Sequence, residues 1–267
     1  MTLTMNPPPK PLPRPRSLLL LVPGLMCDAA VWHAQCMGLA DLAECVVVDH
    51  GEADSIEGMA RQALATVPAG RSFALAGHSM GGRGALEMLR LAPDRVTHLA
   101  LMDTGYQARP AGAAGEAEAA QRFALLALAQ RDGMRAMGVQ WSQAMVHPDR
   151  LGGPVHEAIL QMIARATPAR FAAQIHALLG RPDATGLLRS IHVPTLLLCG
   201  REDRWSPLER HLDMQALAPH ATLSVIEHSG HMSTMEQPAL VTQAMRHWLL
   251  SPPLDGCAPT KINKNSL

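Results

Sequence analysis

Lysine is nearly missing from this sequence of 267 residues: Lys10, Lys261 and Lys264 are the whole supply, and every other basic residue is arginine. All three lysines sit near the ends. The first residues are also rich in proline (Pro7 to Pro15), and Ser251 to Leu267 is polar and without periodicity. The two ends therefore read as disordered arms outside the fold, over 1–16 and 251–267. A surplus of positive charge is missing too. Lys plus Arg and Asp plus Glu both number 23, and this balance argues against a nucleic-acid partner, which calls for a basic surface. Paired cysteine motifs are missing. Cys27, Cys36, Cys45, Cys199 and Cys257 are odd in number, scattered, and never spaced C-x-x-C. Neither a zinc site nor a disulfide framework is expected, and reduced thiols in the cytoplasm are the simplest reading. No apolar run is long enough to span a bilayer, so no membrane partner is expected. The Ser17–Leu25 run follows Lys10, Arg14 and Arg16 as a secretory leader would. Pro23-Gly24 ends it, however, and no small-residue cleavage site follows. Aromatics are scarce at 3% against 16 methionines, which leaves methionine to fill irregular apolar space.

What is present is an alternation. Short apolar runs bounded by turn residues occur at Ser17–Pro23, Glu44–Asp49, Phe73–Gly77, His98–Asp103, Thr195–Gly200 and Thr222–Glu227. Most are continuous, as Val46-Val47-Val48 and Leu196-Leu197-Leu198 are, and this suits strands buried on both faces of a parallel sheet. Helical spacing fills Ser55–Val67, Gly82–Leu91 and Leu240–Leu250. Strands alternating with helices predict a mostly parallel, doubly wound α/β sheet. The interval 107–189 breaks the rhythm. It is rich in Ala, Leu, Met and Arg, with breaks near Gly133, Pro148, Gly152-Gly153-Pro154, Pro168 and Gly180-Arg181-Pro182. It is expected to be a helical cap between two strands of a core made from 17–106 and 190–250. Such an insertion would lie over the carboxyl ends of the strands, where these sheets bind ligands.

The chemistry centres on Gly77-His78-Ser79-Met80-Gly81, a G-x-S-x-G between an apolar strand and a helical pattern. By composition alone that pattern arises by chance in roughly one chain of this length in ten. Its setting raises its weight. A nucleophilic serine on a sharp strand-to-helix turn needs neighbours without side chains, and the helix behind it aims N–H groups at developing negative charge. Acyl transfer by serine further requires a base, an acid that orients it, and oxyanion donors. Asp203, in Gly200-Arg201-Glu202-Asp203, and His231, in Gly230-His231-Met232, each follow a strand. Asp103 and Glu202 rival Asp203 as the acid, and His228 rivals His231 as the base. Asp103 reads more naturally as a turn residue. The oxyanion donors are assigned to the backbone N–H groups of Met80 and of Leu25, in Val22-Pro23-Gly24-Leu25.

Together with Asp49-His50-Gly51, these motifs resemble the α/β-hydrolase superfamily over roughly Ser17 to Leu250, and within it the small bacterial carboxylesterases and their lactonase and C–C hydrolase relatives. The resemblance implies an eight-stranded sheet, a helical cap and no cofactor. Pro23-Gly24 departs from the His-Gly of many relatives, but keeps the glycine. Serine at 79 argues against the branches whose nucleophile is aspartate. The expected activity is hydrolysis of a small-molecule carboxylic ester through an acyl-enzyme, without metal. A lactone, thioester or C–C substrate is open on the same residues. A non-catalytic binding protein on this fold would be expected to lack the serine, the histidine or the oxyanion glycine, and all are present. The pocket is expected to be apolar, with Met26, Trp141, Trp205 and Met232 contributing. Oligomeric state is not legible.

Overall fold

The computed structural model describes residues 16–254. The arm expected over 1–15 and the end of the expected tail, with Cys257, lie outside the described residues. Six strands form one sheet: β1 (Ser17–Val22), β2 (Ala43–Val47), β3 (Phe73–His78), β4 (Val96–Met102), β5 (Thr195–Gly200) and β6 (Thr222–Ile226). Their order is β2-β1-β3-β4-β5-β6, and every neighbouring pair is parallel. All six were expected from the apolar runs. The eight strands implied by the resemblance are corrected to six among the described residues.

The Leu18–Val22 run, superficially a leader, is a strand paired on both edges, Leu19 with Cys45 on one side and with Ala74 on the other. Leu19, Leu20 and Leu21 are at most 1% exposed, and each is worth roughly 1.5–3 kcal/mol of burial. Alternation of side chains splits the strands between two cores. Leu19 and Leu21 face one, and Leu18, Leu20 and Val22 face the other.

Helices cover both faces. They are α1 (His33–Gly38), α2 (Ile56–Ala65), α3 (Met80–Leu91), α4 (Ala113–Asp132), α5 (Met134–Trp141), α6 (Pro154–Ala164), α7 (Pro168–Leu179), α8 (Thr185–Arg189), α9 (Leu208–Leu217), α10 (Ser233–Glu236) and α11 (Pro238–Leu249). Helices α4 to α8 occupy the interval between β4 and β5 without a strand. Their ends fall at the expected punctuation: Gly133 separates α4 from α5, while Pro154 and Pro168 open α6 and α7. Among the described residues no helix is long and apolar enough to cross a membrane, and no group of three or more His, Cys, Asp or Glu could hold a metal ion.

Candidate active site

β3 runs into a turn at Ser79, which carries φ 55° and ψ −119° at the start of α3. A non-glycine residue in this region costs about 1–3 kcal/mol and persists only where its surroundings enforce it. They do so here. Ser79 N–H donates to Met102 O at 2.8 Å, and Thr104 Oγ1 donates to Ser79 O at 2.6 Å. The flanking glycines are obligatory for close approach. A Cβ on Gly77 would lie 2.2 Å from Gly81 O, and one on Gly81 would lie 2.0 Å from Val22 O. The turn is thereby pressed against the end of β1, and a Cβ on Gly24 would meet the Cβ of Ser79 at 3.1 Å.

Three side chains form one hydrogen-bonded chain. His231 Nε2 lies 2.8 Å from Ser79 Oγ, and His231 Nδ1 lies 2.8 Å from Asp203 Oδ2. Asp203 Oδ1 accepts from Trp205 N–H at 2.8 Å and Ser206 N–H at 2.9 Å. Burial pushes the Asp203 carboxyl up, but the nearby His231 charge and these donors outweigh it and hold it at about 2. Asp203 is therefore a carboxylate at neutral pH. It receives the Nδ1 proton of His231 and leaves Nε2 free to accept from the serine hydroxyl. Burial pulls the imidazole down, yet the Asp203 charge and hydrogen bond raise its affinity for a proton above the ordinary histidine value.

The rival positions separate clearly. His228 is exposed and stands edge-on to His147. Glu202 Oε2 accepts from Ser229 N–H at 2.9 Å and shapes the histidine loop. Asp103 sits at φ 48°, fully buried, accepting from Gly200 N–H at 2.9 Å and from the Ser233 hydroxyl. Burial and the Asp203 charge drive its carboxyl well above the usual carboxylate range. His78 donates from Nε2 to His231 O at 2.8 Å, and burial and the His231 charge press it down to about 3, so it stays neutral.

The backbone N–H groups of Leu25 and Met80 have no acceptor among the described residues, and both residues line the cavity that holds Ser79. Met80 N–H opens α3, where no partner exists within the helix. The loop carrying Leu25 is anchored from α7, because Met26 N–H donates to Gln174 Oε1 at 3.0 Å.

The cavity measures about 840 Å³. Trp141, Trp205 and Met232 line it as expected, together with Met145, Ile159 and Met162. Trp141 and Trp205 stack at 5.1 Å between ring centroids, and Trp205 lies 4.9 Å from the His231 ring. Met26 is corrected: it is buried in the core at φ 58° and is not among the residues lining the cavity, whereas its neighbours Leu25 and Cys27 line it.

Sequence reasoning missed Glu236. This buried carboxylate accepts from Gly230 N–H at 3.0 Å and Met232 N–H at 3.1 Å with Oε1, and from His147 N–H at 2.7 Å with Oε2. It thus grips the backbone N–H groups of the residues on both sides of His231, which itself donates from its backbone N–H to Met145 O at 2.7 Å. A Glu236→Gln variant would turn an amide N–H toward a backbone N–H. It is expected to lose roughly 1–3 kcal/mol of stability, seen as a lower urea midpoint at unchanged slope. An unchanged midpoint would show that the loop does not depend on this carboxylate.

Comparison with known proteins agrees with this architecture. The profile of the alpha/beta hydrolase family matches residues 19–244. A thermophilic esterase from Thermogutta terrifontis superposes with a TM-score of 0.77 at 31% identity, over 88% of this chain and 90% of its own. A protein of Pseudomonas syringae pv. syringae named "Putative carbamate hydrolase RutD" is 27% identical over 193 residues, 66% of this chain and 67% of its own. The (E)-2-((N-methylformamido)methylene)succinate hydrolase of Acinetobacter baylyi is 40% identical over 63 residues, 24% of each chain. The chain is a hydrolase belonging to the α/β-hydrolase family.

Proposed function

We propose that this hydrolase cleaves carboxylic esters of small to medium size through an acyl-enzyme on Ser79. The observation that carries the reading is the unbroken chain from Ser79 Oγ through His231 to Asp203, with both bonds at 2.8 Å, opening on a cavity to which Trp141, Trp205, Met145, Ile159, Met162 and Met232 give an apolar wall. Ser79 Oγ attacks the ester carbonyl while His231 Nε2 takes its proton. Asp203 holds the imidazole in the tautomer that can accept and stabilises the imidazolium that forms. The N–H groups of Leu25 and Met80 receive the oxyanion. His231 returns the proton to the departing alcohol. Water then repeats the sequence on the acyl-enzyme. Each step is a proton or acyl transfer within reach of groups in one cavity, with about 840 Å³ to hold the acyl chain.

The test is hydrolysis of p-nitrophenyl esters from acetate to decanoate. Turnover of some members, with a chain-length optimum, is expected, and inactivity across the whole series would remove simple esters from the reading. The pH profile adds a sign. His231 must be neutral to act as base, and its folded-state affinity for a proton is raised above the ordinary value. The protonated, inactive form therefore persists to higher pH. The acid limb of kcat/KM is expected to have its midpoint above about 6.5, the unperturbed histidine value. Activity that stays flat down to about pH 4 would exclude His231 as the base.

A further inference from the structure

The apolar walls around Ser79 give way to a strongly cationic end of the same cavity. Arg83, Arg122, Arg181 and Arg210 line it with a single carboxylate, Glu118. Two of the arginines are accounted for by that carboxylate. Arg181 grips it with both terminal nitrogens at 2.7 and 2.8 Å, and Arg122 reaches it at 2.9 Å. Arg83 and Arg210 have no acidic partner within salt-bridge distance among the described residues. Each gives one hydrogen bond to a backbone carbonyl, Arg83 to Gln107 O at 2.7 Å and Arg210 to Trp205 O at 2.9 Å.

These two unpaired guanidinium groups converge. A Cβ on Gly105 would meet Arg83 Nη2 at 3.0 Å and Arg210 Nη1 at 3.3 Å, so both tips hang over the same bare stretch of backbone. That stretch adjoins the nucleophile. Thr104, the preceding residue, is hydrogen-bonded to Ser79 O, and Arg83 lies one turn along α3 from Ser79, about 6 Å by helical rise. Two half-buried like charges beside each other, with Arg122 and Arg181 behind them, repel in a place where water screens them poorly. Arg83 feels this: burial first, then the charges of Arg181 and Arg210, bring it down to about 9. Guanidinium groups keep their charge at neutral pH all the same. An arrangement of this kind is relieved by an anion, and the planar two-oxygen carboxylate matches two guanidinium edges.

We propose that Arg83 and Arg210 form a carboxylate-binding subsite, so that the preferred ester carries a free carboxylate a short chain away from its scissile carbonyl: a dicarboxylic half-ester rather than a neutral one. The inference rests on the ester-hydrolase reading for the chemistry at Ser79, but its binding arm can be measured without turnover. The Ser79→Ala protein is titrated by calorimetry with monomethyl adipate and with dimethyl adipate. The half-ester is expected to bind at least tenfold more tightly than the diester. Arg83→Met or Arg210→Met in the same background is expected to shrink that ratio at least tenfold. The ratio is an internal control, since general damage to the fold weakens both ligands alike. Equal affinity for the two ligands, no measurable binding of the half-ester, or a preference that survives both arginine substitutions overturns the subsite. Labelling of the intact enzyme at Ser79 by a fluorophosphonate is scored separately. Labelling without half-ester preference removes the subsite and leaves the serine hydrolase. Half-ester preference without labelling leaves the subsite and removes the serine mechanism.

Discussion

Replacing Ser79 by alanine is expected to lower kcat/KM on p-nitrophenyl esters by at least ~10⁴-fold, about 5.4 kcal/mol of transition-state stabilisation, and to abolish fluorophosphonate labelling. The hydroxyl has one hydrogen-bond partner among the described residues, His231 Nε2 at 2.8 Å. What remains after its removal is the cavity and the N–H groups of Leu25 and Met80, which can still polarise a carbonyl. A residual rate above that of water is expected from them. The fold should survive, because Ser79 is held by its backbone N–H and C=O rather than by Oγ. The variant should keep its circular dichroism spectrum and its urea midpoint. Retained ester turnover in a folded Ser79→Ala protein would place the nucleophile elsewhere and refute the acyl-enzyme.

Asp203→Asn is the second large effect, an expected loss of roughly 10³–10⁴ in kcat. The amide can still contact His231 Nδ1, but it can offer an N–H there, which favours the tautomer with its proton on Nε2. That proton then faces the serine hydroxyl and blocks deprotonation. The neutral amide also gives nothing to the imidazolium that forms in the transition state. Asp103, a second aspartate buried nearby, is not expected to take over. Its two oxygens are committed to Gly200 N–H and the Ser233 hydroxyl, and it is driven toward the neutral form. Measured kcat within tenfold of the wild type would mean that the Asp203–His231 bond is structural, or that Asp103 does substitute. The double variant Asp203→Asn, Asp103→Asn separates those two outcomes.

The strands were legible because burial on both faces writes itself as continuous apolar runs. Val96–Met102 and Thr195–Gly200 could be bounded to within two residues from the turn residues beside them. The insertion was legible for the complementary reason: glycine and proline punctuated it where α4 to α7 end or begin. Sequence placed Ser79, Asp203 and His231 at strand ends, and the fold brings the three into contact. The rest of the site was illegible because its residues are chosen by space and not by spacing. Glu236 follows His231 by five positions with no pattern to announce it, and its task exists only because three backbone N–H groups converge on it. The four arginines come from α3, α4, the segment after α7, and α9. Nothing along the chain said that these four meet. Nearness in sequence to the oxyanion loop suggests Met26 as a pocket residue, but the cavity is lined by its neighbours Leu25 and Cys27 and not by Met26.

Met145 and His147 lie in the segment between α5 and α6, over the sheet. The first accepts the backbone N–H of His231, and the second donates to the carboxylate that holds Gly230 and Met232. The segment between α5 and α6 and the loop carrying His231, the proposed general base, are thus interlocked. Lifting this corner to admit a ligand would strand two buried hydrogen-bonding groups and let the imidazole swing out of register.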